Sequence, residues 1–224
     1  MPMPPISAFI FDLDGVITDT AEYHYLAWQR LADEEGLPFS REDNEHLRGV
    51  SRRDSLLRLL KGRTLPEDTF EAWMKRKNDY YLGHLEQLTP ADRLPGVTRF
   101  LEEAAAAGLK LGIGSASKNA HQVIARLGLA ATFAVIGDGY AVAHSKPAPD
   151  LFIWVAGGLQ VPVEEAVVFE DAAAGVDAAR AAGCRTVGLG RAGIDHADLV
   201  LPDLATIPVA AVLAHFAART TTHG

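Results

Sequence analysis

From Leu94 to the end of the chain, short apolar runs alternate with helical stretches of about ten residues. The runs are Leu109–Gly114, Phe133–Ile136, Ala166–Phe169, Thr186–Leu189 and Asp198–Leu201. Between and after them lie helical patterns from Pro95-Gly96 through Ala107, over Asn119–Leu127, Pro149–Ala156 and Ala172–Ala182, and over 208–218. Gly108, Gly128 and Gly183 stand where three of these helices should stop. Such alternation predicts βαβ units and a parallel, doubly wound sheet, because each crossover must return the chain to the same edge of the strand layer. A further run, Ala8–Phe11, supplies a strand far upstream.

The segment between that strand and Leu94 is different. Residues 19–89 hold most of the Trp and Tyr and half of the charged side chains, and carry few strand signals. Tyr23, Ala27, Trp28 and Leu31 recur at helical spacing until Gly36-Leu-Pro38, and further helices are predicted at 41–48, 52–61 and 67–86. Asp19, with Glu22 three residues on, predicts a capping box for the first helix. The expected architecture is α/β: a Rossmann-like core from residues 1–18 and 90–224, with a helical cap of residues 19–89 inserted after the first strand.

Composition narrows the partners. Hydrophobic residues make up 48% of the 224, enough for a sizeable core. A net charge of −8 argues against a nucleic-acid surface. Cys184 is the sole cysteine, which excludes an intramolecular disulfide and fits a reducing, cytoplasmic setting. No apolar run approaches the length of a membrane span, and the first residues lack a signal-peptide pattern, so no membrane association is expected. With no exposed apolar heptad in view, the chain is expected to be a monomer. Cys184 itself is expected to pack between a helix and a strand.

In a doubly wound sheet, ligands sit beyond the carboxyl ends of the strands. Four polar groups fall there. Asp12 and Asp14 follow the first strand, Ser115-Ala-Ser117-Lys118-Asn119 the second, Lys146-Pro147 ends the loop after the third, and Glu170-Asp171 follow the fourth. Two carboxylates one residue apart resist ionising together unless a cation or hydrogen-bond donors offset their repulsion. With a lysine, hydroxyls and a helix N-terminus, the set suits phosphoryl chemistry and a magnesium ion held by oxygen donors.

The order D-x-D-G, S-x-S, K-P and E-D resembles that of the haloacid dehalogenase-like phosphotransferases, over roughly residues 6–205. Phe11-Asp-Leu-Asp-Gly-Val-Ile-Thr-Asp-Thr20, Ala21-Glu-Tyr-His24 with Trp28, Leu47-Arg-Gly-Val-Ser-Arg52, Lys75-Arg-Lys-Asn-Asp79 and Ser115-Ala-Ser-Lys-Asn119 are similar to the β-phosphoglucomutase branch of that family. The resemblance implies that Asp12 is a nucleophile and Asp14 a general acid/base. It implies that Ser115 and Lys146 hold the transferring phosphoryl group. One Mg2+ would be held by Asp12, Asp14, Glu170 and Asp171. Gly49, Val50, Arg52, Ser117, Lys118 and Asn119 would hold the substrate's other phosphate, with His24 near the hinge. Thr20, Arg48, Ser55 and Lys77 are further candidate substrate contacts.

The implied substrate is a sugar phosphate, interconverted through an aspartyl-phosphate and primed by glucose 1,6-bisphosphate. A sugar-phosphate or phosphoglycolate phosphatase of the same family is the competing reading. A phosphoacceptor signalling module is a third, disfavoured because a receiver needs no second carboxylate. Three residues read differently on their own pattern. Lys75-Arg-Lys77 reads as a solvated charged face, Asp171 as a cap on the next helix, and Trp28 as core of the cap with lining of the sugar site as its alternative. Ala172 and Arg48 depart from the family pattern, which usually has serine and often lysine there.

Overall fold

The computed structural model describes residues 4–47, 50–190 and 193–218. Six strands form one parallel sheet: β1 (Ala8–Phe11), β2 (Lys110–Gly114), β3 (Val135–Gly137), β4 (Ala166–Glu170), β5 (Arg185–Leu189) and β6 (Leu199–Leu201). Their order across the sheet is β3-β2-β1-β4-β5-β6, so β1 lies between β2 and β4. Every residue of β1 and β4 is buried, which is why these strands read as continuous apolar runs.

The pleat sends alternate side chains of β1 and β4 to opposite faces. Phe9, Phe11, Val167 and Phe169 go to one face, where Phe11 stacks on Phe169 at 4.8 Å and Phe9 on Phe100 at 5.9 Å. Phe100 belongs to α5 (Val97–Ala106), which with α6 (Ala120–Arg126) and α9 (Val209–Ala218) supplies helical residues to that cluster. Ala8, Ile10, Ala166 and Val168 go to the other face, against α7 (Asp150–Leu159) and α8 (Ala173–Ala182). Cys184 is buried in that second cluster.

Between β1 and α5 the described residues hold four α-helices and no strand: α1 (Ala21–Glu34), α2 (Arg41–Glu45), α3 (Arg52–Leu60) and α4 (Glu67–Leu85). They enclose a third cluster, in which Trp28 and Leu31 of α1 meet Leu56, Leu59 and Leu60 of α3 and Phe70 and Met74 of α4. The block enters and leaves at one place. Thr18 bridges Arg93, Leu94 donates its N–H to the Ile17 carbonyl at 2.9 Å, and the Thr18 hydroxyl donates to the Asp92 carbonyl at 2.8 Å.

The predicted capping box on α1 does not form. Thr20 is the N-cap residue and its side chain makes no cap bond, because its hydroxyl donates to Asp14 instead. Asp19 accepts from the Ala21 N–H at 2.9 Å, and Glu22 pairs with Arg41 at 2.7 Å. Capping boxes do form at Ser40–Asp43 and Thr89–Asp92. Asp171 does not cap α8 either: Ala172 holds that position and makes no side-chain bond.

Candidate active site

β1 ends in a tight loop that turns Asp12 and Asp14 into a cleft below the helical block. The loop closes with Gly15 N–H on the Thr18 carbonyl at 2.7 Å and Ile17 N–H on the Leu13 carbonyl at 2.9 Å. Gly15 takes φ +85°, and a Cβ there would overlap the Asp171 carboxylate, so only glycine lets the loop approach so closely.

Lys146 lies beneath the cleft, 2% exposed, with Nζ 2.6 Å from Asp12 Oδ1 and 2.9 Å from Glu170 Oε1. Burial alone would lower the Lys146 pKa; the Asp12 and Glu170 charges more than offset it and raise the value. A buried ammonium between two carboxylates is fixed as a cation and leaves Asp12 oriented by a short charge-assisted bond. Glu170 Oε2 accepts from the Asp171 N–H at 2.9 Å and the Ala172 N–H at 3.4 Å. Burial pushes the Glu170 carboxyl upward, against the pull of Lys146.

Asp12, Glu170 and Asp171 are all buried, and one oxygen of each lies within 4.8 Å of the others. Three carboxylates gathered out of water repel one another, and an oxygen-only donor set matches a hard divalent cation. The residues therefore fit the magnesium that the sequence motifs imply.

Asp14 differs from Asp12. Its Oδ1 accepts from the Thr20 N–H at 3.2 Å and from the Thr20 hydroxyl. Burial pushes its carboxyl up to about 6; the Thr20 hydroxyl pulls it down and the Asp12 charge pushes it up. A carboxyl near that value exchanges protons readily around neutral pH, which suits an acid/base group.

One cavity joins these residues to the helical block. Asp12, Asp14, Ser115, Ser117, Lys118 and Asp171 line it from the sheet side, and His24, Val50, Arg52, Ser55 and Lys77 from the helices. Burial lowers the Arg52 pKa from its ordinary value. Lys77 is not on a solvated face: it is 1% exposed, with Nζ 2.7 Å from His24 Nδ1 and 4.8 Å from the Trp28 ring centroid. Burial, and then the Arg52 charge, hold its pKa well below the usual lysine range. Lys75 is the solvated member of that run, paired with Asp79 at 2.7 Å.

Trp28 belongs to the third cluster and also lines the cavity. Thr20 sits beside the cavity wall through its bonds to Asp14. Asn119 donates across the cleft to the Asn78 side-chain oxygen at 2.9 Å. Lys118 lies with Nζ 4.6 Å from the Tyr140 ring centroid. Arg48 and Gly49 lie outside the described residues.

Sequence reasoning missed Asn44, Leu47, Ala21 and Ala116, which also line the cavity among the described residues. It also missed Tyr81, whose hydroxyl lies 3.0 Å from that of Thr20. Ala21, Leu47 and Ala116 lie inside the quoted motifs without a polar group to mark them, and Tyr81 carried a positional signal, four residues after Lys77 on one helical face.

A model of the haloacid dehalogenase-like hydrolase family matches residues 6–183. Among curated proteins, the chain is 42% identical over 190 residues to the β-phosphoglucomutase of Bacillus subtilis, covering 83% of this chain and 84% of that protein. It is 31% identical over 184 residues to a phosphorylated carbohydrates phosphatase of Thermotoga maritima, covering 81% of this chain and 84% of that one. Among solved structures, a β-phosphoglucomutase from Clostridium difficile superposes with a TM-score of 0.93 at 36% identity, covering 96% of this chain and 98% of that one. The chain belongs to the haloacid dehalogenase-like hydrolase family and is an enzyme of its phosphoryl-handling kind.

Proposed function

We propose that this enzyme is a magnesium-dependent β-phosphoglucomutase, interconverting β-D-glucose 1-phosphate and glucose 6-phosphate. The observation that carries the reading is the shared cavity: Arg52 and Lys118 line the same space as Asp12 and Asp14. A hexose carrying a phosphate at each end then has one cationic subsite and one reactive subsite. The likeness to β-phosphoglucomutases of Bacillus subtilis and Clostridium difficile supports the same choice.

In this reading Asp12 carries the phosphoryl group as an aspartyl-phosphate. The substrate's 6-hydroxyl oxygen attacks phosphorus, its proton passes to Asp14, and the bond from phosphorus to Asp12 breaks. The resulting β-glucose 1,6-bisphosphate turns end for end. Asp12 then attacks the 1-phosphoryl group while Asp14 returns the proton to the leaving sugar oxygen, which restores the phosphoenzyme. Lys146 and the Ser115 hydroxyl hold the phosphoryl oxygens, and Arg52, Val50, Ser117 and Lys118 hold the resting phosphate. Asp12, Glu170, Asp171 and the Asp14 main-chain oxygen would hold magnesium, which offsets charge on the phosphoryl group. Glucose 1,6-bisphosphate primes the cycle. Residues 19–89 act as a cap over the core of residues 1–18 and 90–224, and exclude water, which would otherwise take the phosphoryl group.

The test is a paired measurement. Protein, magnesium and a trace of glucose 1,6-bisphosphate are incubated with β-glucose 1-phosphate, and glucose 6-phosphate and inorganic phosphate are followed together. Glucose 6-phosphate in large excess over phosphate is the expected result. Stoichiometric phosphate release without the 6-phosphate would make the protein a sugar-phosphate phosphatase, as its Thermotoga maritima relative is named.

A further inference from the structure

Thr20 joins three segments of the chain. Its hydroxyl has one proton to give, and Asp14 Oδ1 takes it. The Tyr81 phenol lies 3.0 Å from the same threonine oxygen. With the threonine proton committed to the carboxylate, that contact is made by Tyr81 donating into a Thr20 lone pair. The chain of bonds therefore has one polarity, from the α4 tyrosine through the threonine ahead of α1 to the carboxyl after β1.

Burial makes this polarity binding. Thr20 and Tyr81 are both 0% exposed, so water does not replace either partner. The His24 ring stacks on Tyr81 at 4.1 Å between centroids, which fixes the plane from which the phenol reaches Thr20. Asp14 Oδ1 also accepts from the Thr20 N–H at 3.2 Å. With both bonds on Oδ1, the other oxygen of Asp14 is left for the proton exchanged with the sugar.

We propose that Tyr81 is a positioning residue for phosphoryl transfer: by donating to Thr20 it commits the threonine proton to Asp14 and couples the orientation of that carboxyl to the seating of α4. The inference deepens the reaction proposed above and rests on it for the role of Asp14.

Tyr81→Phe keeps the ring and its stacking on His24 and removes only the donor. Its kcat for glucose 6-phosphate formation is expected to fall about fivefold with KM unchanged, and that of Thr20→Val about tenfold. Because Tyr81 acts through Thr20, the double variant should be no slower than Thr20→Val alone. Thr20→Ser, which keeps the hydroxyl, should hold the native rate. A merely structural tyrosine would lower thermal stability and leave kcat alone; that result, or losses that multiply in the double variant, overturns the inference. Should Tyr81→Phe not fold, the Thr20 pair decides: valine at the native rate overturns the relay, and loss with valine but not serine supports it. If the native protein releases phosphate instead of forming glucose 6-phosphate, the mutase reading fails, and the same cycle is run on phosphate release, where Asp14 serves the leaving oxygen.

Discussion

Gly175 and Gly157 both lie in helices, and the same substitution should act on them with opposite sign. An alanine Cβ at Gly175 of α8 would overlap the Glu170 carboxylate and stand 2.5 Å from Glu170 Cγ, where ordinary contact begins near 3.4 Å. A flexible side chain would simply swing away. Glu170 has no such freedom, because it is 0% exposed and tied at 2.9 Å to Lys146 Nζ and at 2.9 Å to the Asp171 N–H. Moving it breaks two charge-assisted bonds, at about 1.5–3 kcal/mol each, against about 1 kcal/mol gained from the better helix propensity of alanine. The net is a loss of about 2–5 kcal/mol, a large part of the stability of a domain this size. Phosphoryl transfer should fall with it, since Lys146 loses a partner. At Gly157 of α7 an added Cβ meets nothing within 4 Å, so alanine should stabilise by about 0.5–1 kcal/mol and leave transfer unchanged. Urea unfolding followed by far-ultraviolet circular dichroism reads both. A Gly175→Ala protein as stable and as active as the native one would refute the account of Glu170 as a pinned group.

Other expectations follow from single groups. Because burial holds Lys77 below its ordinary value of 10.5, the folded state binds fewer protons than the unfolded chain between the two values, and stability should rise with pH in that window by up to about 1.4 kcal/mol per unit. Urea midpoints taken as pH rises toward 10.5 should show that slope in the native protein and lose it in Lys77→Met; an identical slope in both would reject the assignment. Burial pushes the Cys184 thiol up to about 12, so a disulfide-exchange reagent should titrate no thiol in the native state and one after unfolding. Rapid native reaction would mean an exposed thiolate. Asp12→Asn should abolish both glucose 6-phosphate formation and the acid-stable count of phosphate transferred to protein, while magnesium should raise the melting temperature of the native protein more than that of the variant. Native-speed turnover by the variant, or after chelation, would remove Asp12 and the ion from the mechanism.

The parts of the fold that could be read from sequence are those where burial is the same on both faces. Ala8–Phe11 and Ala166–Phe169 are unbroken apolar runs because β1 and β4 are sandwiched between helices. The site carboxylates were legible for a related reason: charge appears abruptly at the end of such a run. What escaped detection depends on contacts between segments distant in sequence. The Asp19–Glu22 capping box is absent because Thr20 holds the N-cap position and Glu22 turns to Arg41, a partner that local pattern does not reveal. Lys77 looks solvated beside Lys75 and Arg76, yet the packing of α4 along α1 turns it inward to His24. The bond from Asn119 to Asn78 joins positions 41 residues apart, which no local pattern reveals.

The pairing of Thr18 with Arg93 has an evolutionary corollary. The polypeptide departs from the sheet and rejoins it at adjacent points, so the sheet is oblivious to how much chain is spent between them. A long helical excursion, a brief one or a bare turn would each leave the strand order intact. Selection can thus rewrite the helical block without disturbing the strands or the carboxylates at their ends, and a chimera that grafts a relative's excursion between these two residues should keep the sheet, with turnover retained only where the graft again supplies a hydroxyl to Asp14 as Thr20 does.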